Sequence, residues 1–350
     1  MLYKEKQQDY YDALIRKDAE YEGVFFAGIK TTGIFCRPTC PARKPKFENC
    51  EFFATAQDAL LAGYRSCKRC HPMALPDEAS SLIKTLIKAV EDTPEKRWKD
   101  ADFRAIGVDQ STVRRHFKKR YGMTFVEYAR ARRMGLALSH IRSGKSVINA
   151  QIDQGYESDS GFRDAFSRIM GAPPSAKDHI ILKALWIDTK LGPMVAIADD
   201  TALYLLEFTM RRGLELEIER MRKKMKAAII PGSTPILKQI EEELTQYFKG
   251  TLPSFKTPVA YIGSDFQQNV WDHLREIPYG ETCSYADLAR AIDKPSAFRA
   301  VARANGSNQL ALIIPCHRVI GSDGSLTGYA GGLARKEWLI THERKNCVAS

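Results

Sequence analysis

The chain has 350 residues, with 53 Lys and Arg against 42 Asp and Glu and a formal net charge of +11. A hydrophobic content of 44% is ample for packed cores and excludes wholesale disorder, and no run approaches the roughly 18–20 apolar residues of a membrane span. Residues 1–11 are charged and lack an apolar signal core, so the expectation is a soluble, cytoplasmic, basic protein of two or three domains that meets no membrane.

The excess charge is unevenly spread. Residues 1–80 carry 12 basic and 11 acidic side chains, residues 81–180 carry 19 and 12, and residues 181–350 carry 22 and 19. The stretch 97–145 alone holds 13 basic and 4 acidic residues, which marks the middle third as the polyanion-binding segment. Pro- and Gly-rich breaks at 71–76, 171–175 and 253–258 interrupt the periodic segments.

The first segment reads as a helix over 8–17, then a β-like run over 23–30 leading into Thr31-Thr-Gly-Ile-Phe-Cys36. Its cysteines fall as Cys36-x3-Cys40, a 26-residue gap, and Cys67-x2-Cys70. Two close pairs can each place two thiolates on one ion, and four complete a tetrahedral zinc site. Without a signal peptide, disulfides are the poorer reading. Lys68 and Arg69 inside the second pair favour thiolate formation, Cys50 is spare, and His71 is too close to Cys70 to be preferred as a ligand. Spacing alone makes such a site structural.

The strings Thr31-Thr-Gly-Ile-Phe-Cys36-Arg-Pro-Thr-Cys40 and Cys67-Lys-Arg-Cys70 resemble the N-terminal domain of the Ada family of bacterial methyl acceptors. The resemblance implies one Zn²⁺ on Cys36, Cys40, Cys67 and Cys70, and no organic cofactor. It also implies that Cys36 takes a methyl group from a methyl phosphotriester in DNA, and that methylated Cys36 turns the protein into a transcriptional activator with RNA polymerase as a further partner.

In the middle segment, residues 104–113 read as a helix, a Gly-containing turn and the start of a second helix over 111–121. Val113, Phe117 and Tyr121 recur at i, i+4 and i+8 and should face a core, leaving Ser111, Arg114, Arg115, Lys118 and Lys119 outward. A basic helix after a tight turn suits docking in the DNA major groove, although a solvated bundle helix has the same pattern. A helix over 125–141 with Arg130, Arg132 and Arg133 leads to a second unit. There Val147, Ile148 and Ile152 precede Gly155-Tyr156, Ser158 and Ser160 offer caps, and Phe162, Phe166 and Ile169 form the apolar stripe. Two such motifs joined by a long helix resemble the AraC-type activator domain, which implies an all-α double helix-turn-helix that binds double-stranded promoter DNA.

The third segment begins with β-rich runs over 182–189, 194–198 and 202–208, read as an antiparallel sheet. A helix over 235–248 follows, with Thr234 as N-cap and Pro235 at its first position. Helical patterns resume at Phe266 and the apolar run 310–315 leads to Cys316-His317. By spacing alone, Cys316 beside a His is either a reactive thiol or an inert buried one. Ala297, Ala300, Ala302 and Ala304 lie on a helix read over 297–305, where small side chains suit either tight interior packing or close approach to a minor groove.

The string Ile314-Pro-Cys-His-Arg-Val319 resembles the acceptor signature of the O6-alkylguanine-DNA alkyltransferases, and the likeness extends from about 264 to 343. It implies single-turnover transfer of a methyl group from O6-methylguanine, and from O4-methylthymine, to Cys316. It implies His317 as base through a water, Glu343 orienting His317, and Asn308 joining the recognition helix to the active site. It implies Tyr285 at the lesion phosphate and as a proton donor, Arg299 as the finger filling the stack, and Tyr329 lining the guanine pocket. Cys283 and Cys347 are given no role.

The expected architecture is therefore multidomain α+β. Residues 1–76 form a small zinc-binding α/β domain, 77–180 the helix-turn-helix domain, 181–262 the sheet subdomain of an alkyltransferase, and 263–350 its winged-helix-like active-site subdomain. A monomer is expected. Two other readings use the same residues: a DNA-binding regulator with a structural zinc and an inert alkyltransferase-like module, and a thiol hydrolase built on Cys316 and His317.

Overall fold

The computed structural model describes residues 6–75, 81–171, 173–175 and 180–347. The first module opens with α1 (Gln7–Arg16), then β1 (Phe26–Ile29), β2 (Ile34–Cys36), β3 (Cys50–Phe53), α2 (Ala56–Leu61) and β4 (Arg65–Ser66). The strands form one sheet in the order β3-β1-β2-β4, antiparallel except for β2 beside β4. That parallel pairing brings the Cys36 end of β2 alongside the strand that leads into Cys67. The module is held by buried aromatics, Phe25 and Phe52 on one side and Phe35 and Phe53 on the other, each contributing roughly 1.5–3 kcal/mol of apolar burial.

The middle is entirely helical: α3 (Ser81–Asp92), α4 (Asp100–Ala105), α5 (Gln110–Tyr121), α6 (Phe125–Arg142), α7 (Val147–Asp153) and α8 (Asp159–Met170). Asp109 caps α5 by accepting from the Thr112 N–H at 2.7 Å, Thr124 and Glu127 form a capping box on α6, and Ser158 caps α8. Val113, Phe117 and Tyr121 are buried as their spacing predicts, as are Phe162 and Phe166. Ile169 is partly buried, while Met170 completes the stripe and Ile148 and Ile152 are both 63% exposed.

The last module contains β5 (Ile180–Ile187), β6 (Met194–Ala198), β7 (Leu203–Phe208), α9 (Leu214–Met225), β8 (Ala227–Pro231) and α10 (Pro235–Lys249). It continues through α11 (Asp265–Glu276), β9 (Cys283–Ser284), α12 (Tyr285–Ala291), α13 (Phe298–Gly306), β10 (Val319–Ile320) and α14 (Leu333–Cys347). The sheet order is β7-β6-β5-β8. Its first three strands are antiparallel, and β8, which the sequence pattern does not reveal, adds parallel to β5. The α10 helix has its predicted start, with the Thr234 hydroxyl accepting from Leu237 N–H at 3.0 Å and Pro235 at the first position. One core joins β6 and β7 to α10, α11, α12, α13 and α14, so the sheet and the helical half pack as one unit across position 262.

The modules also pack on one another. Met134, Ala137, Leu138, Phe162 and Phe166 share a core with Ala228 and Ile230 of β8. Gly135 permits this approach, because a Cβ there would run into Ile230 Cδ1. Arg120 pairs with Asp188 at 2.6 Å, and Tyr121 stacks edge-on against Trp186. On the other side, Arg335 of α14 donates to Ala19 O of the first module at 3.1 Å. Among the described residues, no helix is long and apolar enough to cross a membrane.

Candidate acceptor cysteines and nucleic-acid interface

The sulfurs of Cys36, Cys40, Cys67 and Cys70 all lie within 4.8 Å of one another. Cys36, Cys40 and Cys67 are buried, and Cys70 is the most open of the four. The Arg37 N–H points at Cys70 Sγ (3.4 Å) and the Arg69 N–H at Cys67 Sγ (3.4 Å). Packed this closely, the thiols compete for protons. Hydrogen bonds from Cys40 and Cys70 push Cys36 far above the ordinary thiol range, while the same contacts with Cys36 and Cys70 draw Cys40 down. Four sulfurs in this volume cannot all ionise without a cation between them, which is the donor set of a thiolate zinc site. Cys50 stands apart, its sulfhydryl donating to Lys46 O at 3.4 Å and its thiol pushed up to about 11 by burial. His71 is likewise outside the cluster.

The second cysteine lies in the last module. β7 is laid against the segment before it, where Leu206 N–H donates to Gln309 O at 2.8 Å and Ala311 N–H to Leu206 O at 2.8 Å. The chain then enters a short 3-10 turn, Cys316–Arg318. Cys316 is 7% exposed, and burial pushes its thiol up to about 11. Asn308, two residues past α13, donates through Nδ2 to Cys316 Sγ at 3.1 Å and to Ile314 O at 2.8 Å. Asn308 Oδ1 accepts from Leu310 N–H at 2.8 Å, which fixes which end of the amide faces the sulfur.

His317 has no exposed surface, and its Nε2 lies 2.8 Å from Glu343 Oε1. Burial of Glu343 works to raise its carboxyl, but His317 and Arg318 outweigh burial and hold it well below the carboxylate range. Burial also lowers the His317 imidazole, against the pull of Glu343. A neutral ring facing an ionised carboxylate carries its proton on Nε2, which leaves Nδ1 as a bare lone pair. That atom is buried and without a hydrogen-bond partner.

A cavity beside Cys316 is lined by Glu207, Asn305, Asn308 and Tyr329. The Tyr329 hydroxyl and Asn305 Oδ1 are buried there without partners. Tyr285 is half-buried, its hydroxyl 3.4 Å from Thr327 O and 3.5 Å from Gly328 O. Gly328 has φ +55, and a Cβ on it would sit 3.2 Å from that hydroxyl. Arg299 is exposed at the start of α13, its guanidinium 5.7 Å from the Phe298 ring centre.

In the middle module, Ser111, Arg114, Arg115 and Lys118 are exposed along α5. The Ser111 hydroxyl donates to Asp109 at 2.5 Å. Lys119 is on the same helix, and its side chain lies outside the described residues.

Three family patterns match in order along the chain. They are described as the metal binding domain of Ada (residues 9–73), a helix-turn-helix domain (103–177) and the DNA binding domain of 6-O-methylguanine DNA methyltransferase (265–345). The Escherichia coli K12 protein named bifunctional transcriptional activator/DNA repair enzyme Ada is 33% identical over 344 residues, 96% of either chain. The chain belongs to the Ada family. The methylated-DNA–protein-cysteine methyltransferase of Methanosarcina barkeri is 42% identical over 161 residues, 46% of this chain and 96% of that one. Mycobacterium tuberculosis OGT, solved in complex with DNA, is 36% identical over 48% of this chain and 94% of its own, with a TM-score of 0.41.

Residues that the sequence reading passed over support both Ada-family sites. Arg37, inside the first cysteine pair, reaches Cys70 O (3.1 Å), His71 O (3.2 Å) and the buried Glu22 (3.2 Å). Glu343 also receives Arg318 Nε (2.8 Å), Arg318 Nη2 (3.1 Å), the Tyr247 hydroxyl (2.8 Å) and Gly280 N–H (3.3 Å). Lys336 is fully buried, donates to Thr327 O at 2.5 Å and is brought down to about 8 by burial. No sequence signal marks these partners, because most lie tens of residues along the chain from the group they serve.

Proposed function

We propose that this protein reverses DNA methylation directly, by irreversible transfer of methyl groups to two of its own cysteines. Cys316 takes the methyl of O6-methylguanine, and of O4-methylthymine. Cys36 takes that of a methyl phosphotriester, and Cys36 methylation makes the protein a transcriptional activator. Membership of the Ada family supports the whole reading. The division into 1–76, 77–180, 181–262 and 263–350 assigns one task to each part, the last two sharing the second acceptor site.

The observation that carries the reading is the bare, buried Nδ1 of His317, the residue that follows Cys316 in the 3-10 turn, while Nε2 is committed to Glu343. A thiol pushed up by burial needs a base, and Nδ1 takes its proton through one water. Asn308 Nδ2 steadies the resulting thiolate. Sulfur then attacks the methyl carbon, the carbon–O6 bond breaks, and its electron pair stays on the guanine, which takes a proton from Tyr285. The target base must leave the stack to reach this cavity, at a cost of a few kcal/mol. Arg299 fills the gap and Tyr329 bounds the base. The thioether product has no simple return to a thiol, so each site acts once.

In the first module Zn²⁺, held by Cys36, Cys40, Cys67 and Cys70, keeps the sulfurs as thiolates at neutral pH. Methylation of Cys36 removes one negative charge from the cluster and so weakens repulsion from DNA phosphates. Ser111, Arg114, Arg115, Lys118 and Lys119 of α5 contact promoter DNA, and the activated protein engages RNA polymerase. It works as a monomer in the cytoplasm.

Mass spectrometry after incubation with DNA carrying both lesions tests the proposal. Two increases of about 14 Da, one CH₂ per thiol, are expected on the peptides of Cys36 and Cys316. DNA binding without transfer would instead make the protein a regulator with an inert module. Promoter affinity should rise on methylation at matched salt, and Cys36→Ala should lose the rise.

A further inference from the structure

Glu207 is a buried acid that the methyl-transfer reading leaves unused. It follows Leu206, the residue that ties β7 to the acceptor segment, and it lines the cavity that holds Cys316, Asn308 and Tyr329. It is 4% exposed. One carboxyl oxygen is 3.2 Å from Arg211 Nη1, and the other accepts its neighbour's N–H, Phe208 N, at 3.2 Å. The same Arg211 nitrogen also pairs with Glu217 of α9, and all three side chains are largely buried.

One guanidinium cannot neutralise two carboxylates. With both acids ionised the trio keeps a net negative charge in a dry site, and a proton on one of them relieves it. Glu207 is the deeper of the two, and burial pushes its carboxyl up to about 8. Arg335 of α14 also bears on it, with its guanidinium 4.9 Å from the Phe208 ring centre. Cys316 on the acceptor turn and Tyr329 on the pocket loop both feel its charge, and Lys336 of α14 bears on Cys316 with the opposite sign.

We infer that Glu207 sets the upper pH limit of alkyl acceptance at Cys316. With its proton it leaves the cavity uncharged, and without it a like charge stands beside the attacking thiolate. Glu207 therefore acts through the charge state of the sulfur, as a positioning residue. The inference rests on Cys316 being the acceptor.

The test is single-turnover transfer from a duplex bearing one O6-methylguanine, with full-length protein in saturating excess, from about pH 6.5 to 9.5. The wild-type rate should climb and then flatten near pH 8. In Glu207→Gln the ratio to wild type should rise through that pH and reach roughly three- to tenfold at the alkaline end, about the effect of half to one unit on a thiol pKa. Glu217→Gln leaves Arg211 to Glu207 alone, so flattening should begin at lower pH and the neutral rate should fall. Both substitutions keep side-chain size, and damage to packing would slow both variants at every pH. Superposable profiles for wild type and Glu207→Gln, or shifts of both variants in one direction, would overturn the inference. If Glu207→Gln does not stay folded, the Glu217→Gln shift decides alone. Failure of wild-type Cys316 to take up methyl overturns the acceptor reading itself, a different result from methyl uptake with unchanged pH profiles.

Discussion

Glu343→Gln should disable the acceptor site by moving one proton on His317. The wild-type carboxylate accepts from His317, Tyr247 and Arg318 Nη2 on Oε1, and from Arg318 Nε and Gly280 N–H on Oε2. A glutamine offers one acceptor oxygen and one NH₂. With the NH₂ in place of Oε2, it meets two N–H groups that cannot turn away. With the NH₂ in place of Oε1, it meets only one such group, Arg318 Nη2, beside a hydroxyl that can rotate and an imidazole that can change tautomer. The second arrangement costs less, and it puts the ring proton on Nδ1, the atom proposed to take the thiol proton. Transfer to Cys316 should fall by roughly 10²–10⁴, the usual worth of a positioned base. Arg318 loses its buried counter-charge as well, which costs about 3–5 kcal/mol and lowers the melting temperature by roughly 6–20 °C for a module of this size. The pH dependence has a definite sign. Because the folded carboxyl lies well below its ordinary range, its stabilisation is complete above the unfolded value near 4.3 and drains away as pH falls through the folded value. Glu343→Gln should lack that acid-side slope. Single-turnover transfer and thermal melts over pH 3–7 read both effects. A folded Glu343→Gln protein that transfers methyl at the wild-type rate would refute the tautomer argument.

Removing metal with a chelator should unfold the first module, since thiolate sites of this kind contribute on the order of 10 kcal/mol. Far-UV circular dichroism should show the loss, with α10 and the last module retained. Arg120→Ala removes the ion pair with Asp188 from the contact between the middle and last modules and should cost roughly 3 kcal/mol, seen as a lower denaturation midpoint. Replacing Arg114 and Lys118 by Ala should flatten the dependence of log affinity on log salt by roughly one unit per cation, measured on promoter DNA. An unchanged slope would mean that the exposed face of α5 does not meet phosphate.

Features governed by local chemistry were open to reading from residue order. The start of α10 follows from Thr234 and Pro235, and the buried face of α5 follows from the spacing of Val113, Phe117 and Tyr121. The four zinc ligands follow from two close pairs. Features built by distant pairing were not. The strand β8 has no partner until β5 is in place, and neither its position nor its direction is encoded in its own five residues. The charge count points to the right segment but overstates its free charge, for a related reason. Arg120 and Arg132 both belong to the basic stretch 97–145, yet their acids, Asp188 and Glu91, lie outside it. Arg133 is 5% exposed and covers the Tyr156 ring. The surface offered to a polyanion is therefore smaller than the composition suggests, with Arg114, Arg115 and Lys118 exposed together on α5.

The two acceptor cysteines meet the same requirement, a thiolate at neutral pH, from opposite directions. At Cys36 the obstacle is crowding, since contacts with the neighbouring sulfurs of Cys40 and Cys70 raise its thiol ahead of burial. Only a cation among the sulfurs removes that obstacle, so this site needs a metal but no base. At Cys316 the obstacle is burial. A metal would add ligands and close the cavity to a base, whereas a neutral imidazole can take the proton and leave the pocket open. His317 can stay neutral beside an ionised Glu343 because Arg318 shares that carboxylate and balances its charge. The arrangement leaves the cavity itself sensitive to any further charge, and Glu207 is the residue in position to supply one.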